Sequence, residues 1–246
     1  MNTAIKGVFF DLYGTLLIFN DIEQSWHDWA ETFYVLIKDK TNLSFEEFSK
    51  SSNSFMSRKV VKNISTGLTT YETRIRNHCD SLSIPLTNTD LKVIADETPH
   101  AWQKYISVAD NAPVVLSKLR KEKILALITN FDHAPHIRKT LKHFDLEKFF
   151  DAIIISDELN CCKPDPKIFD AALLETNLTP EEVIFIGDNV NDDIAGARAA
   201  GIEPVLIMHD TFTTKHDYSH GRHENPDKPL PDVKIINSLT EILPLV

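Results

Sequence analysis

Long apolar runs, long basic runs and a cysteine framework are all absent from this sequence of 246 residues. No segment approaches the roughly 18 consecutive apolar residues of a membrane span, so we expect no membrane partner. The net charge is −10 and no long basic run occurs, which argues against nucleic acid as a partner. Three cysteines without framework spacing indicate free thiols in a reducing compartment. These absences favour a cytoplasmic protein. We expect a monomer or a homodimer that acts on a small molecule.

The beginning of the chain places a carboxylate directly after a short apolar run. Residues 7–10 read as a buried strand that ends on Asp11, and Gly14 and Thr15 follow soon after. In open α/β sheets, ligands bind beyond the carboxyl ends of the strands. Asp11 is therefore a candidate nucleophile, and Thr15 a candidate catalytic hydroxyl. The alternative is an aspartate that only closes a strand into a turn.

Apolar runs rich in β-branched residues alternate with amphipathic stretches of helical period along most of the chain. The apolar runs span 7–10, 124–128, 152–155, 183–186 and 204–208, and the helical stretches span 112–121, 135–144, 166–175 and 192–200. This alternation is typical of a parallel, doubly wound sheet with right-handed crossovers. The predicted fold class is therefore α/β, with residues 1–16 and 104–246 forming the core.

The alternation stops between residues 17 and 103. Aromatic residues at helical spacing, such as Trp26, Trp29 and Phe33, and three later segments predict four helices and no strand. We interpret the aromatic stripes as the core of a helical bundle rather than as a ligand cage. A helical insertion after the first strand would lie over the carboxyl end of that strand, where a lid belongs.

The segment from residue 209 to residue 231 has little periodicity and is predicted to be an irregular surface loop. Its histidines are spaced irregularly, so we interpret them as solvated side chains rather than metal ligands. These histidines are His209, His216, His220 and His223. Residues 233–246 then add a short strand and a helix.

Polar groups also follow the next two apolar runs. Thr129 and Asn130 come after the second run, and both can donate hydrogen bonds to a phosphoryl oxygen. Lys163 precedes a helix that Pro166 can begin, and its charge can neutralise both a nucleophilic aspartate and a transferring group. Taken alone, a lysine at this position is more often a solvated surface residue.

An acidic loop follows the fourth apolar run and contains Asp188, Asp192 and Asp193. Mg²⁺ prefers oxygen ligands from one or two carboxylates, completed by water and substrate phosphate. If Asp188 emerges beside Asp11, the two carboxylates supply such a site. The alternative is that Asp192 or Asp193 caps the next helix.

The motifs together resemble the haloacid dehalogenase superfamily of hydrolases. The matching segments are residues 11–16, Thr129-Asn130, residues 163–165, and residues 187–201. The resemblance covers residues 1 to about 20 and about 104 to 246. It implies a Rossmann-like catalytic core in residues 1–16 and 104–246 and a helical cap in residues 17–103.

The resemblance also implies roles for individual residues. Asp11 would attack the substrate, and Thr129 and Lys163 would hold the transferring group. Mg²⁺ would be bound by Asp11, Asp188 and the backbone carbonyl of Tyr13. Asp193 would support that metal site, and the substrate would be a small phosphorylated molecule.

Tyr13 departs from the phosphatase pattern, in which a second aspartate stands two residues after the nucleophile as general acid and base. A tyrosine there is characteristic of the dehalogenase branch, which hydrolyses 2-haloacids without metal. The last motif instead keeps Asp188 and Val190, and Phe169 replaces an aromatic hydroxyl of that branch. We therefore predict a slow, Mg²⁺-dependent phosphatase. The alternatives are a metal-independent dehalogenase and a non-catalytic protein that binds a ligand or partner through the same pocket.

Substrate contacts are predicted both before and within the inserted segment. Tyr13 and Gly14 lie in the turn after the nucleophile, and Arg58 and Arg74 lie in the cap region. Either arginine could reach a substrate anion.

Overall fold

The computed structural model describes residues 4–62, 64–209 and 232–246. Within these ranges the strands are, in chain order, β1 (Gly7–Phe10), β2 (Leu17–Phe19), β3 (Ile106–Val108), β4 (Ile124–Thr129), β5 (Ala152–Ile155), β6 (Val183–Gly187), β7 (Glu203–Ile207) and β8 (Lys234–Ile236). The α-helices are α1 (Ile22–Ile37), α2 (Phe45–Ser51), α3 (Thr70–Ser81), α4 (Asn88–Gln103), α5 (Ala112–Leu119), α6 (Ala134–His143), α7 (Ser156–Leu159), α8 (Pro166–Thr176) and α9 (Gly196–Ala199).

Six strands form one sheet in the order β5-β4-β1-β6-β7-β8, and every neighbouring pair is parallel. In chain order, β4 and β5 are added on one side of β1, and β6, β7 and β8 are then added on the other side. The winding direction therefore reverses beside β1, which is where ligands bind in open α/β sheets. The predicted α/β class with a parallel, doubly wound, Rossmann-like core is confirmed.

The centre of the sheet is apolar because it is covered on both faces. Phe9 of β1 is fully buried and is paired in register with Ala126 of β4 and Phe185 of β6. Helix α8 packs against this region through Phe169, whose ring centroid lies 5.1 Å from that of Phe185. This packing fixes the carboxyl ends of β1, β4 and β6 relative to one another.

Contacts divide the chain into two compact units. The first comprises residues 1–18, 108–131 and 138–246, and contains the six-stranded sheet. The second comprises residues 19–107 together with residues 132–137. The second unit therefore includes a short segment that follows β4, although no pattern in the sequence separates this segment from the core.

The second unit contains helices α1 to α4. Ser44, Thr69 and Thr87 each form a capping box with an acidic residue three positions later, which explains where α2, α3 and α4 begin. Aromatic rings fill its interior: the ring centroids of Trp29 and Phe55 lie 4.9 Å apart. These rings pack on one another, as expected for the core of a helical bundle.

Three details differ from the expectations. The two-stranded ribbon of β2 and β3 was not predicted, because three-residue strands are too short to show a periodic pattern. The segment after β6 begins with a π-helical turn, Val190–Ala195, before α9. The closing helix after β8 is a 3₁₀ helix, Leu239–Leu245.

Some expectations concern residues that the structure does not describe. His216, His220 and His223 lie outside the described residues, so their predicted solvated state stays a prediction. In the described part of the chain, no helix combines the length and apolar character needed to span a membrane.

Candidate active site

Four predicted site residues meet at the edge of the sheet formed by the carboxyl ends of β1, β4 and β6. Asp11 directly follows β1, Thr129 is the last residue of β4, and Asp188 directly follows β6. The backbone N–H of Asp11 donates to the carbonyl of Ile186 at 2.9 Å, so the pairing of β1 with β6 extends to the nucleophile candidate. Lys163 reaches the same edge from the loop between α7 and α8.

Lys163 is buried between two carboxylates. Its Nζ donates to Oδ1 of Asp11 at 2.5 Å and to Oδ1 of Asp193 at 2.7 Å. The three residues are only 2%, 6% and 1% exposed, respectively. A buried charge is stable only when it is paired, so the lysine and the two aspartates hold one another in place.

The same burial shifts the ionisation of the pair. Burial raises the pKa of Asp11 to about 7, against the lowering effect of Lys163, and the charge of Asp193 adds to the increase. Burial alone would lower the pKa of Lys163, but Asp11 and Asp193 raise it above its ordinary value. Lys163 is therefore a protonated donor at neutral pH.

Asp188 completes a group of three carboxylates, and one oxygen of each lies within 4.8 Å of the others. Desolvation and the charges of Asp11 and Asp193 raise the pKa of Asp188 well above its ordinary value. Asp188 also keeps solvent-exposed surface. One lysine does not neutralise three carboxylates, and a hard cation with oxygen ligands such as Mg²⁺ fits this donor set.

Two glycines allow these carboxylates to approach the backbone. Gly14 has a φ of +89°, and a Cβ there would overlap the carboxylate of Asp188. A Cβ on Gly187 would overlap the carboxylate of Asp193. A side chain at either position would push a carboxylate away from the group.

The π-helical turn after β6 orients Asp193. The side chain of Asn189 caps this turn by accepting hydrogen bonds from the backbone N–H groups of Asn191 and Asp192. The backbone N–H of Asn189 donates in return to Oδ2 of Asp193 at 2.9 Å. One oxygen of Asp193 is thus held by the backbone while the other accepts from Lys163. The cap of this turn is Asn189, rather than Asp192 or Asp193.

Two threonine hydroxyls lie buried in the first unit. Thr129 is 1% exposed and Thr15 is fully buried. Among the described residues, the Thr15 hydroxyl has no hydrogen-bond partner, which is unusual for a buried donor. The carbonyl of Thr15 accepts a hydrogen bond from Nε2 of His209 at 2.9 Å. Sequence reasoning missed this contact because it assigned His209 to a solvated loop.

The side-chain amide of Asn130 is hydrogen-bonded to other groups of the protein. Its Oδ1 accepts from the backbone N–H of Lys163 at 2.8 Å, and its Nδ2 donates to the Lys163 carbonyl at 3.0 Å and to Oδ2 of Asp192 at 3.3 Å. The sequence predicted that this amide would donate to a phosphoryl oxygen. In the structure the N–H groups of this amide donate to protein acceptors instead.

Tyr13 is half-buried beside Phe131, with 5.6 Å between the ring centroids. Burial and the charge of Asp11 raise the pKa of its phenol above the ordinary value, despite the lowering effect of Thr140. The phenol is therefore fully protonated at neutral pH and unsuited to accept a proton from water.

The two predicted substrate arginines lie in the second unit. Arg74 is buried and forms a salt bridge with Asp132 at 2.5 Å, and its Nη1 donates to the carbonyls of Phe55 and Arg58. Arg58 is exposed, and its guanidinium contacts Nδ1 of His78 at 3.2 Å. Arg74 thus makes structural contacts within the second unit, while the side chain of Arg58 is exposed.

Residues 5–201 match a family model described as haloacid dehalogenase-like hydrolase. The chain belongs to this family. The match covers the sheet edge that holds Asp11, Lys163, Asp188 and Asp193. The expected superfamily and the assignment as a hydrolase are confirmed.

Curated members of the family include both phosphatases and dehalogenases. The glyceraldehyde 3-phosphate phosphatase of Pyrococcus furiosus is 36% identical over 109 residues, 44% of this chain and 45% of that relative. This chain therefore spans less than half of that relative's length. The (S)-2-haloacid dehalogenase 4A of Burkholderia cepacia is 26% identical over 157 residues, 64% of this chain and 62% of that relative.

A solved HAD phosphatase from Thermococcus onnurineus shares the fold. Its TM-score is 0.66 at 21% identity, and the superposition covers 98% of this chain and 97% of that one. At this identity the likeness concerns the fold and not the substrate.

Proposed function

We propose that this haloacid dehalogenase-like hydrolase is a Mg²⁺-dependent phosphatase that acts on a small phosphorylated molecule through a covalent intermediate on Asp11. The observation that carries the proposal is the group of three carboxylates around one lysine. A metal-free site for a carboxylate substrate would not gain from three carboxylates, because they repel such a substrate. A dianionic phosphoryl group needs a cation beyond Lys163 for the same reason.

Asp11, Asp188 and Asp193 are the side chains that would hold Mg²⁺, together with the backbone carbonyl of Tyr13. When bound, the ion would supply positive charge that offsets repulsion between these carboxylates and the phosphoryl oxygens. The donor set fits because all side-chain ligands are oxygens and Asp188 is open to solvent. The glycines at positions 14 and 187 keep these oxygens close to the backbone.

In the first step a carboxylate oxygen of Asp11 attacks phosphorus, and the bond to the leaving oxygen breaks with its electron pair on that oxygen. Lys163 already donates to Asp11 and can stabilise the charge of the transferring group. The hydroxyl of Thr129 is a further donor at the same sheet edge. Water then attacks phosphorus, and the bond from phosphorus to the Asp11 oxygen breaks with its electron pair on the carboxylate. The proton of the water leaves with inorganic phosphate or to solvent, and Asp11 is restored.

Turnover is expected to be slow, because the position two residues after the nucleophile carries a phenol. A positioned acid or base contributes about 10²- to 10⁴-fold. Tyr13 is protonated and half-buried, so it does not replace a carboxylate as base. The leaving group must depart without help from this residue.

A panel of phosphate monoesters tests the proposal, with an aryl phosphate and glyceraldehyde 3-phosphate among them. We expect slow release of phosphate that requires Mg²⁺, stops with chelator and is abolished by Asp11→Asn. The matched control is Asp170→Asn, which changes an exposed aspartate of α8 and should leave the rate unchanged. Hydrolysis that persists in the presence of chelator would contradict the metal requirement.

Tyr13 and the dehalogenase relative favour 2-haloacid hydrolysis as the second candidate function. Halide release from 2-chloropropionate without added metal would support it. Ligand binding without any turnover on either panel would instead support a non-catalytic protein.

A further inference from the structure

Asn130 lies where three loops of the first unit meet. Its side chain bonds both backbone polar groups of Lys163, and it also donates to the carboxylate of Asp192 in the loop after β6. Its own backbone continues directly from β4, whose last residue is Thr129. One side-chain amide therefore connects the end of β4, which carries Thr129, with the two loops that carry Lys163 and Asp193.

These contacts use every donor of the amide. An asparagine side chain has two N–H donors and one carbonyl oxygen. The backbone N–H of Lys163 can only donate, so it requires Oδ1 on its side and fixes the orientation of the amide. Both N–H groups then face the Lys163 carbonyl and Asp192. A phosphoryl oxygen accepts hydrogen bonds but donates none, so no side-chain donor of Asn130 remains for it.

The position of Lys163 depends on this support. A lysine side chain is a flexible four-carbon chain, so where its backbone is held decides how far its amine can reach. The Lys163 amine must meet Asp11 and Asp193 at once, at 2.5 and 2.7 Å. Groups at an active site need to be held to about 0.5 Å.

We propose that Asn130 is a positioning residue that acts on the reaction through Lys163 and does not contact the substrate. The kinetic part of this inference rests on the proposed phosphatase function. The structural part does not, because the accessibility of the Lys163 amine can be measured without any substrate.

Reductive methylation followed by mass spectrometry measures how readily each lysine amine reacts. In the wild-type chain Lys163 is ion-paired and 2% exposed, so its methylation should be slow. Asn130→Ala should raise the methylation rate at Lys163 by about tenfold or more, because the hydrogen bonds from Asn130 to the Lys163 backbone are lost. Lys123, whose amine donates to the carbonyl of Ile5, is an internal control and should react as before.

The kinetic measurement separates positioning from substrate contact. Displacing Lys163 should lower kcat by about 10- to 100-fold at an almost unchanged KM, since small displacements of an active-site group cost rates of this order. Loss of a donor that binds the ground-state phosphoryl group would raise KM as well. Asn237→Ala, which changes an exposed asparagine after β8, is the matched control and should change neither constant.

Asn130→Ser provides a second variant with a smaller defect if the alanine variant does not fold. An unchanged methylation rate at Lys163, or an equal increase at Lys123, would overturn the proposal. An increase in KM, with or without a fall in kcat, would also overturn it, because Asn130 would then contact the substrate. If the wild-type chain releases no phosphate, the proposed function fails, and the methylation rates still decide the structural inference.

Discussion

The amine of Lys163 donates to the carboxylate of Asp11 at 2.5 Å, across 152 positions of sequence and with both side chains almost completely buried. Neither charge could remain buried alone. The pair therefore links the stability of the first unit to its chemistry, and a change at Lys163 should be visible in both.

Lys163→Met should destabilise the protein and abolish hydrolysis. Methionine fills a similar volume but leaves Asp11 and Asp193 without their cation, and removing one partner of a buried pair costs about 3–5 kcal/mol. Denaturant unfolding at neutral pH measures the free energy of unfolding. The control is Lys167→Met on α8, where the lysine is exposed, and its effect should be small. Equal stabilities of the two variants would show that the buried pair is not supporting the fold.

Tyr13→Asp should raise the Mg²⁺-dependent phosphatase rate. A carboxylate at this position would supply the general acid and base that the phenol does not. The expected gain in kcat is about 10²-fold or more. Tyr13→Phe should keep the wild-type kcat, because the phenol stays protonated at neutral pH. Steady-state kcat with an aryl phosphate is the measurement. If the aspartate variant folds, binds Mg²⁺ and is no faster, this account of Tyr13 is wrong.

Arg74→Ala should lower the free energy of unfolding by about 2–4 kcal/mol, because it breaks a charge pair with Asp132 and hydrogen bonds to two carbonyls. The Asp132 side chain is 28% exposed, which places the loss below that of a fully buried pair. Arg76→Ala, two residues along the same helix, removes a hydrogen bond to Asn88 and should cost much less. Similar losses in the two variants would refute the structural role of Arg74.

His78 should contribute a loss in the free energy of unfolding as the pH is lowered from about 6.5 to about 4. Burial, helped by the charge of Arg58, lowers the pKa of His78 to about 4. Between these pH values the unfolded chain binds a proton at this histidine that the folded chain does not, so its titration favours unfolding, whereas the raised pKa of Asp11 acts in the opposite direction. The free energy of unfolding of His78→Asn relative to the wild type should therefore rise as the pH is lowered through this window, whereas that of His100→Asn, at an exposed site of α4, should stay constant. A difference between His78→Asn and the wild type that does not change with pH would exclude this contribution.

The sheet was predictable because its signal is local. The run from Gly7 to Phe10 is continuous and apolar, and the structure contains a strand with the same bounds. The end of such a strand also fixes where Asp11 emerges. Parallel strands share one carboxyl edge, so the order of elements predicted Asp11 and Asp188 at the same edge, and their proximity depends on the pairing of β1 with β6.

Side-chain partners were much less predictable. Asn130 has donors that suit a phosphate, and only the positions of Lys163 and Asp192 show that those donors are used elsewhere. The partner of Arg74 lies 58 positions away in sequence. A hydrogen bond between distant residues leaves no periodic pattern, so composition and spacing could not reveal it.

The short segment 132–137 limits how the two units can be exchanged between related chains. It follows β4 in sequence but belongs with residues 19–107, where the backbone N–H of Tyr71 donates to the carbonyl of Asp132 and Thr69 contacts His133. A graft that transplants only residues 19–107 would separate α3 from the acceptor at its first turn. Recombination between family members should therefore succeed more often when residues 132–137 are transferred with the insertion.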